Sequence, residues 1–275
     1  MDTLTPALFV GHGSPMTTIT DNSERRALTA LGPRLPKPEA ILCITAHWET
    51  HGATHVTAGP APRTIHDFRG FPPELYQVRY PAPGAEALAS RIAELLGSER
   101  LVCDGGWGYD HGVWGVLQPL FPDADIPVLA MSLDRSIDPA GHLEIGRKLA
   151  PLRGEGVMIV ASGNIVHNLS LWRALAGSRP DWLVRFQERI NAAVTTGDAQ
   201  ALTCFAADDE AASAAINSGE HYLPLLYPFG ARGEGEAVTA FNDSVDGALS
   251  MTSYLFGDAS LLDGIVAMAT LPASA

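Results

Sequence analysis

The sequence predicts an α/β fold: a single domain over 1–275 with a central mixed, largely parallel sheet flanked by helices. Three observations predict it. Short apolar runs of strand length recur along the chain, amphipathic stretches of helical length lie between them, and glycine- or proline-rich turns mark most junctions. Strands alternating with helices favour parallel pairing, because a parallel neighbour needs a crossover connection long enough to hold a helix.

The first run, Ala7–Val10, is continuously apolar and reads as a buried strand. A helix is expected over Ser23–Leu31, then a second buried strand over Ile41–Thr45. From His51 to Gly84 prolines and glycines are frequent and periodicity is weak, so a long irregular excursion is expected, serving as a lid or pocket wall. Within it Tyr76–Tyr80 reads as a strand, and His51 and His55 fall in an alternating polar strand. Ala85–Leu96 is the clearest helix, since it follows "PAPG" and places Leu88, Ile92 and Leu95 on one stripe. Strands are expected next at Leu101–Asp104, Pro127–Ser132 and Val157–Ala161, with a late pair near Ala237–Phe241 and Met251–Phe256. The remaining helices are expected at Pro139–Ala150, Asp181–Thr195 and Glu210–Asn217. No internal repeat or low-complexity linker divides the chain, which favours one domain.

Composition bounds the function. With 275 residues, 46% of them apolar, there is ample material for one large core. A formal net charge of −13 argues against nucleic acid or an anionic membrane as the main partner. No apolar run approaches the roughly 18 residues that a membrane span needs, and the N-terminus enters a strand without a basic leader segment. Cys43, Cys103 and Cys204 are far apart and lie in apolar runs, so they are expected to be buried reduced thiols in a cytoplasmic protein.

The chemistry lies in the histidines. "LFVGHGSP" stops at His12, held between Gly11 and Gly13, and "ILCITAHWE" ends a second strand at His47. "VMIVASGNIVHN" carries His167 past the end of a third. Ligands of open α/β sheets bind beyond the carboxyl ends of the strands, so these imidazoles are expected to converge. His221, in "GEHYLPLLYP", follows a helix-like stretch and opens another apolar run. Neutral imidazole nitrogens suit a divalent ion such as zinc or iron, though without HExxH or His-x-His the spacing names no metal. His111, in "GGWGYDHGVWG", is expected on a pocket wall. His51, His55 and His142 are expected at the surface or in packing, and His66 is left open.

"GHGSP", "AHWE", "IHDFRGFPPELYQVRYPAPG", "DHGVWG", "SGNIVHN" and "EHYLPLLY" occur here in that order. Together, over about residues 8 to 256, they resemble the class III extradiol ring-cleavage dioxygenases (the LigB-type catalytic subunit superfamily), and within them the DOPA-dioxygenase-like branch. The resemblance implies an α/β domain with a metal at one end of a mixed sheet. It implies His12, His47 and His221 as metal ligands, with Glu220 as an alternative third ligand because the protocatechuate-cleaving branch uses a glutamate. It implies His167 as the acid–base residue and sets His111 against the substrate or an oxygen intermediate. The implied enzyme is a non-haem, metal-dependent extradiol dioxygenase that inserts both atoms of O2 into a catechol-type diol and cleaves the aromatic ring next to the hydroxyls. Fe2+ is the expected ion and Zn2+ another occupant of the same ligands. The expected partners are a small aromatic diol and O2, with no nucleic acid and no membrane; the natural catechol and the oligomeric state stay open. Two other readings stand beside it: a zinc-dependent hydrolase on the same site, and a non-catalytic metal-binding relative.

Overall fold

The structure is a computed structural model that describes residues 4–204, 210–216 and 218–265. The first half runs β1 (Ala7–Gly11), α1 (Ser23–Leu31), β2 (Ala40–Thr50), β3 (Thr54–Thr57), α2 (Glu86–Leu96), β4 (Leu101–Asp104), α3 (His111–Leu120) and β5 (Val128–Asp134). Then come α4 (Pro139–Leu149), α5 (Pro151–Gly154), β6 (Val157–Gly163), α6 (Leu169–Leu175), α7 (Asp181–Thr196), α8 (Ala199–Thr203), α9 (Glu210–Ala215) and α10 (Leu226–Gly230). The strands β7 (Val238–Phe241), β8 (Val245–Asp246), β9 (Leu249–Ser250) and β10 (Ser253–Phe256) follow.

Eight strands form one sheet in the order β4-β3-β5-β2-β6-β1-β10-β7. The central block β5-β2-β6-β1 is parallel throughout. At one end β3 meets β5 antiparallel, and at the other β10 and β7 reverse direction in turn. The sheet is therefore mixed and largely parallel, as the sequence predicts. β1, β5 and β6 are buried along their whole length, as strands covered on both faces must be. Alternation along each strand divides the core. Phe9, Leu42 and Ile159 pack with Ile92, Leu143 and Phe186 from α2, α4 and α7, whereas Leu8, Ile41 and Val160 pack with Leu28 and Leu117 from α1 and α3. No helix among the described residues is long and apolar enough to cross a membrane.

Three expectations need correction. Tyr76–Tyr80 is not a strand: Leu75–Gln77 is a 3-10 turn, and Val78 and Tyr80 are buried without joining the sheet. Pro72, Pro73, Pro81 and Pro83 bracket the segment, and residues without an N–H cannot extend a ladder. Of the cysteines only Cys43 is buried; Cys103 lies on the edge strand β4, and it and Cys204 are exposed. The glycine-rich stretch around His111 reads as a turn in the pocket wall, but His111 instead starts α3, whose Gly112, Gly115 and Pro119 disguise it by low helix propensity. The predicted helix Glu210–Asn217 corresponds to α9, its last residue lying outside the described residues.

His142 is the one histidine expected in packing that is fully buried. Its Nδ1 lies 2.9 Å from the Tyr227 hydroxyl, while Nε2 has no partner. Burial pushes its pKa down to about 4. Because the unfolded state takes up the proton near pH 6.5 and the folded state resists it, His142 weakens the fold as pH falls from 6.5 toward 4 and is neutral in effect above 6.5. The full loss is about 3 kcal/mol. Urea midpoints of wild type and His142→Gln between pH 4 and 8 are expected to show a shallower acid slope in the variant, the other histidines cancelling in the difference.

Candidate active site

Each site histidine is placed by a distinct local device. β1 ends at Gly11, paired with Gly163 of β6, and the next N–H, that of His12, donates to the Gly163 carbonyl at 3.0 Å. Gly13 then turns the chain at φ +58°, where a Cβ would also collide with the Met251 sulfur. Only glycine serves there. His47 is aimed by a bulge: between Ile44 and Glu49 β2 advances five residues while β5, from Met131 to Leu133, advances two. The extra residues break the pairing and bend the strand, so His47 sits within β2 rather than at its tip. His221 reaches the same place from a turn. Its carbonyl accepts the Asn164 N–H at 2.8 Å and would lie 2.2 Å from a Cβ on Gly163, so a glycine lets this turn dock on the end of β6.

The three rings converge at steep angles to one another, with centroids 4.7 Å (His12–His47) and 5.2 Å (His12–His221 and His47–His221) apart. One nitrogen from each lies within 4.8 Å of the other two. His47 Nε2 and His221 Nε2 are 3.3 Å apart. Two nitrogens sharing a tetrahedral ion at about 2.0–2.1 Å stand roughly 3.3 Å apart, so the spacing fits a common cation. His12 Nε2 is buried with no partner, a cost that a metal would remove. Two of the outer nitrogens are already engaged: His12 Nδ1 lies 2.9 Å from Ser162 Oγ, and His221 Nδ1 2.9 Å from Glu220 Oε1. His47 Nδ1 makes no hydrogen bond but faces two carboxylates, 3.4 Å from Asp67 and 3.7 Å from Asp110. Such outer partners fix which nitrogen faces inward and raise its basicity.

Electrostatics keep most of the cluster neutral. Burial, and then the neighbouring imidazoles, hold His12 well below the usual histidine range. Burial lowers His221 to about 4 against the opposing pull of Glu220, and burial with His221 lowers His167 to about 3. His47 goes the other way: burial lowers its pKa, but Asp110, Asp67 and Glu220 together raise it. Neutral imidazole is the form that ligates a metal.

Around this centre the structure brings His167 and His111 to one cavity of about 790 Å³, a size suited to a small ligand. His167 stacks on His221 at 3.5 Å and 7° between planes, tied by its N–H to the Ala215 carbonyl. His111 stacks on His47 at 3.8 Å. Its helix is capped by Asp110, whose carboxylate accepts from Val113 N–H at 3.2 Å, Thr45 Oγ1 at 2.8 Å and Trp107 Nε1 at 3.1 Å. Phe68, Phe71, Trp107, Trp172 and Leu249 supply apolar wall. The irregular excursion thus contributes to the wall through Asp67, Phe68 and Phe71.

Three contributors escape a reading of the sequence. Asp67 accepts both the backbone N–H and, at 2.8–2.9 Å, the Nδ1 of His111. Burial pushes its carboxyl up, but the His111 hydrogen bond and the charges of His111 and His47 bring it down to about 2. Asp110 and Ser162 are the others. An aspartate preceding a helix was a capping signal in the sequence; nothing periodic marks Asp67 or Ser162. Outside the site, His55 bonds Asp104 at 3.1 Å, His51 is exposed, and His66 lies 3.2 Å from the Val78 carbonyl behind Phe68.

Residues 6–249 match the family described as the catalytic LigB subunit of aromatic ring-opening dioxygenase. The chain belongs to that family. It is 47% identical over 258 residues, covering 92% of this chain and 94% of the relative, to the 4,5-DOPA dioxygenase extradiol of Escherichia coli K12. The protein of the same name from Beta vulgaris is 35% identical, with 93% of this chain and 97% of that one covered. The crystal structure of an uncharacterized Escherichia coli K12 protein superposes with a TM-score of 0.79 at 42% identity, covering 92% of this chain and 100% of that one. LigB membership makes the chain a ring-cleaving extradiol dioxygenase.

Proposed function

We propose that this member opens a small catechol beside its diol, inserting both atoms of O2, with Fe2+ held by His12, His47 and His221. The observation that carries the reading is the convergence of three imidazoles on one buried point that borders a cavity with two further histidines. Fe2+ in a three-nitrogen set leaves positions for a chelating diol and for oxygen, and supplies the redox chemistry that no side chain here has. The protein binds, orients and moves protons. Glu220 serves as the support of His221 through Nδ1 rather than as the third ligand. His167, kept neutral by burial, takes a hydroxyl proton as the diol binds and returns it as the ring opens to a muconic semialdehyde. His111 donates its Nδ1–H in a hydrogen bond to the Asp67 carboxylate, which leaves Nε2 as an acceptor for a second hydroxyl. Phe68, Phe71 and Trp107 limit water at the reacting ring. A reducing cytoplasm suits both the ferrous ion and the exposed thiols of Cys103 and Cys204.

Three neutral imidazoles also suit Zn2+, which would support hydrolysis through a bound hydroxide. Anaerobic loading with Fe2+, followed by air and a panel of catechols, separates the two. Oxygen uptake matched by a yellow product is expected. A ferrous-loaded sample that consumes no oxygen with any catechol overturns the dioxygenase reading, and a hydrolase consumes none.

A further inference from the structure

The eight-stranded sheet ends at β4, which pairs with β3 on one side and with no strand on the other. Thr57 stands in register with Asp104, and the Ala58 N–H donates to the Asp104 carbonyl at 3.1 Å. That bond turns the backbone groups of Asp104, and of Val102 two residues earlier, toward β3. Alternate residues of a parallel ladder point to opposite sides, so the N–H and C=O of Leu101 and Cys103 point outward. Those outward groups have no partner among the described residues. Val102 is 40% exposed and Cys103 is exposed. Apart from its four-residue length, β4 has none of the usual devices that block an edge: no lysine, no proline and no bulge.

An antiparallel second copy of β4, related by a two-fold axis at Val102, satisfies these groups. It sets Leu101 opposite the partner's Cys103, so each outward-facing residue exchanges both of its bonds with the other chain. Val102 meets the partner's Val102 as a pair without backbone bonds, Cα atoms about 4.5 Å apart and side chains in contact. Charge follows the same register. Arg100, just before the strand, is exposed, and its guanidinium has no partner among the described residues. Asp104 closes the strand; its carboxylate accepts from the Gly106 N–H at 2.7 Å, lies 3.1 Å from His55 Nδ1 and stays 32% exposed. The axis at Val102 brings each arginine to the other chain's aspartate. An axis at Leu101 would set Arg100 and Asp104 against Val102 and Ser98, and one at Cys103 would set them against Gly106 and Val102. Neither pairs the charges.

We propose that β4 is a self-pairing edge through which two copies of this chain associate about a two-fold axis at Val102, joining their sheets into one. A two-fold contact of this kind is closed, so association stops at the dimer. No residue of β4 lines the histidine cavity, so the contact leaves each protomer's site whole.

A four-residue strand makes a small interface, and association in the micromolar range is expected. Each chain carries −13 overall, so the measurement belongs at about 0.15 M salt, where the screening length is about 8 Å. Sedimentation velocity across the micromolar range is expected to show a monomer–dimer equilibrium for the wild-type protein. Val102→Lys puts two ammonium groups at the axis, and Arg100→Glu turns two attractive pairs into repulsive ones. Each is expected to weaken the dimer by about tenfold or more, with the circular dichroism spectrum unchanged. Should Val102→Lys not fold, Arg100→Glu and cross-linking decide. Val102→Cys, in a Cys103→Ser, Cys204→Ser background, is expected to link two chains under oxidised glutathione. Two thiols lose their protons and two electrons as the S–S bond forms, glutathione takes up both, and Cα atoms about 4.5 Å apart lie within disulfide reach. Ser98→Cys in the same background, exposed but off the axis, is expected to stay unlinked. A wild-type protein that remains monomeric across the range overturns the proposal. A dimer that survives Arg100→Glu undiminished, or that links through Ser98→Cys and not through Val102→Cys, overturns it too, because the contact then lies elsewhere.

Discussion

Alanine at His12, His47 or His221 is expected to leave a folded protein that no longer retains metal. Each of these rings contributes one nitrogen to a set whose members lie within 4.8 Å of one another. Removing one leaves two donors and an open face to water. Loss of an outer-sphere partner alone weakens metal sites by about 10–100-fold, so loss of a ligand is expected to exceed about a hundredfold in affinity, with turnover falling by about a thousandfold or more. The fold should survive, because the strands carrying the site are held by Leu8, Phe9, Ile41 and Leu42 rather than by the imidazoles. Alanine at His12 removes an unpartnered buried nitrogen but orphans the buried Ser162 hydroxyl, so the metal-free variant is expected to lose only about 1–2 kcal/mol against metal-free wild type. Metal content after gel filtration, read beside a circular dichroism melt, checks both halves. His51→Ala, an exposed histidine away from the cavity, should keep its metal. Stoichiometric metal in His12→Ala or His47→Ala would remove those residues from the ligand set.

How far the site could be read from the sequence follows from how each residue is delivered. His12 and His47 were legible because each ends or closely follows an unbroken apolar run, and a parallel strand buried on both faces has few other sequences open to it. The bulge that aims His47 was not legible, since its extra residues Thr45 to Trp48 look like ordinary strand and only the partner strand reveals the slip. His221 sits on a turn whose docking depends on Gly163, fifty-eight residues earlier, so family resemblance rather than periodicity singled it out. Asp67 belongs to the irregular excursion, where neither helical nor strand spacing exists to interpret. Its contact with His111 spans a sequence separation of 44 and leaves no local trace. β3 was read only as an alternating polar strand around His51 and His55, without bounds, because its four residues, joined to β5 by one antiparallel bridge, lie inside a stretch dominated by turn formers. The large pattern of alternating apolar runs and amphipathic helices set the fold, because burying the two faces of one sheet leaves few alternatives.

The second large effect separates proton transfer from metal binding. His167 also lies within ligating distance of Glu220 and His221, so the geometry admits two sets that share His221: His12–His47–His221 and His167–Glu220–His221. Two features favour the first. Glu220 is committed to the outer nitrogen of His221, and with a carboxyl that burial raises but the His221 and Ser218 hydrogen bonds lower to about 2, it serves as a fixed anion behind a ligand. The rings of His167 and His221 lie face to face at 3.5 Å, a stacking that aims their in-plane lone pairs side by side rather than at a common point. His167→Ala is therefore expected to keep its metal and lose about 10²–10⁴ in turnover, the range that removal of a positioned acid–base group produces. On the proton role proposed for His167, the loss should fall on kcat with KM little changed. Single-turnover oxygen consumption by ferrous-loaded variant, measured beside its metal content, is the deciding experiment. Metal loss in His167→Ala would transfer the ligand role to the second set and with it the proton step to His111, an imidazole at the cavity outside that set which Asp67 already orients.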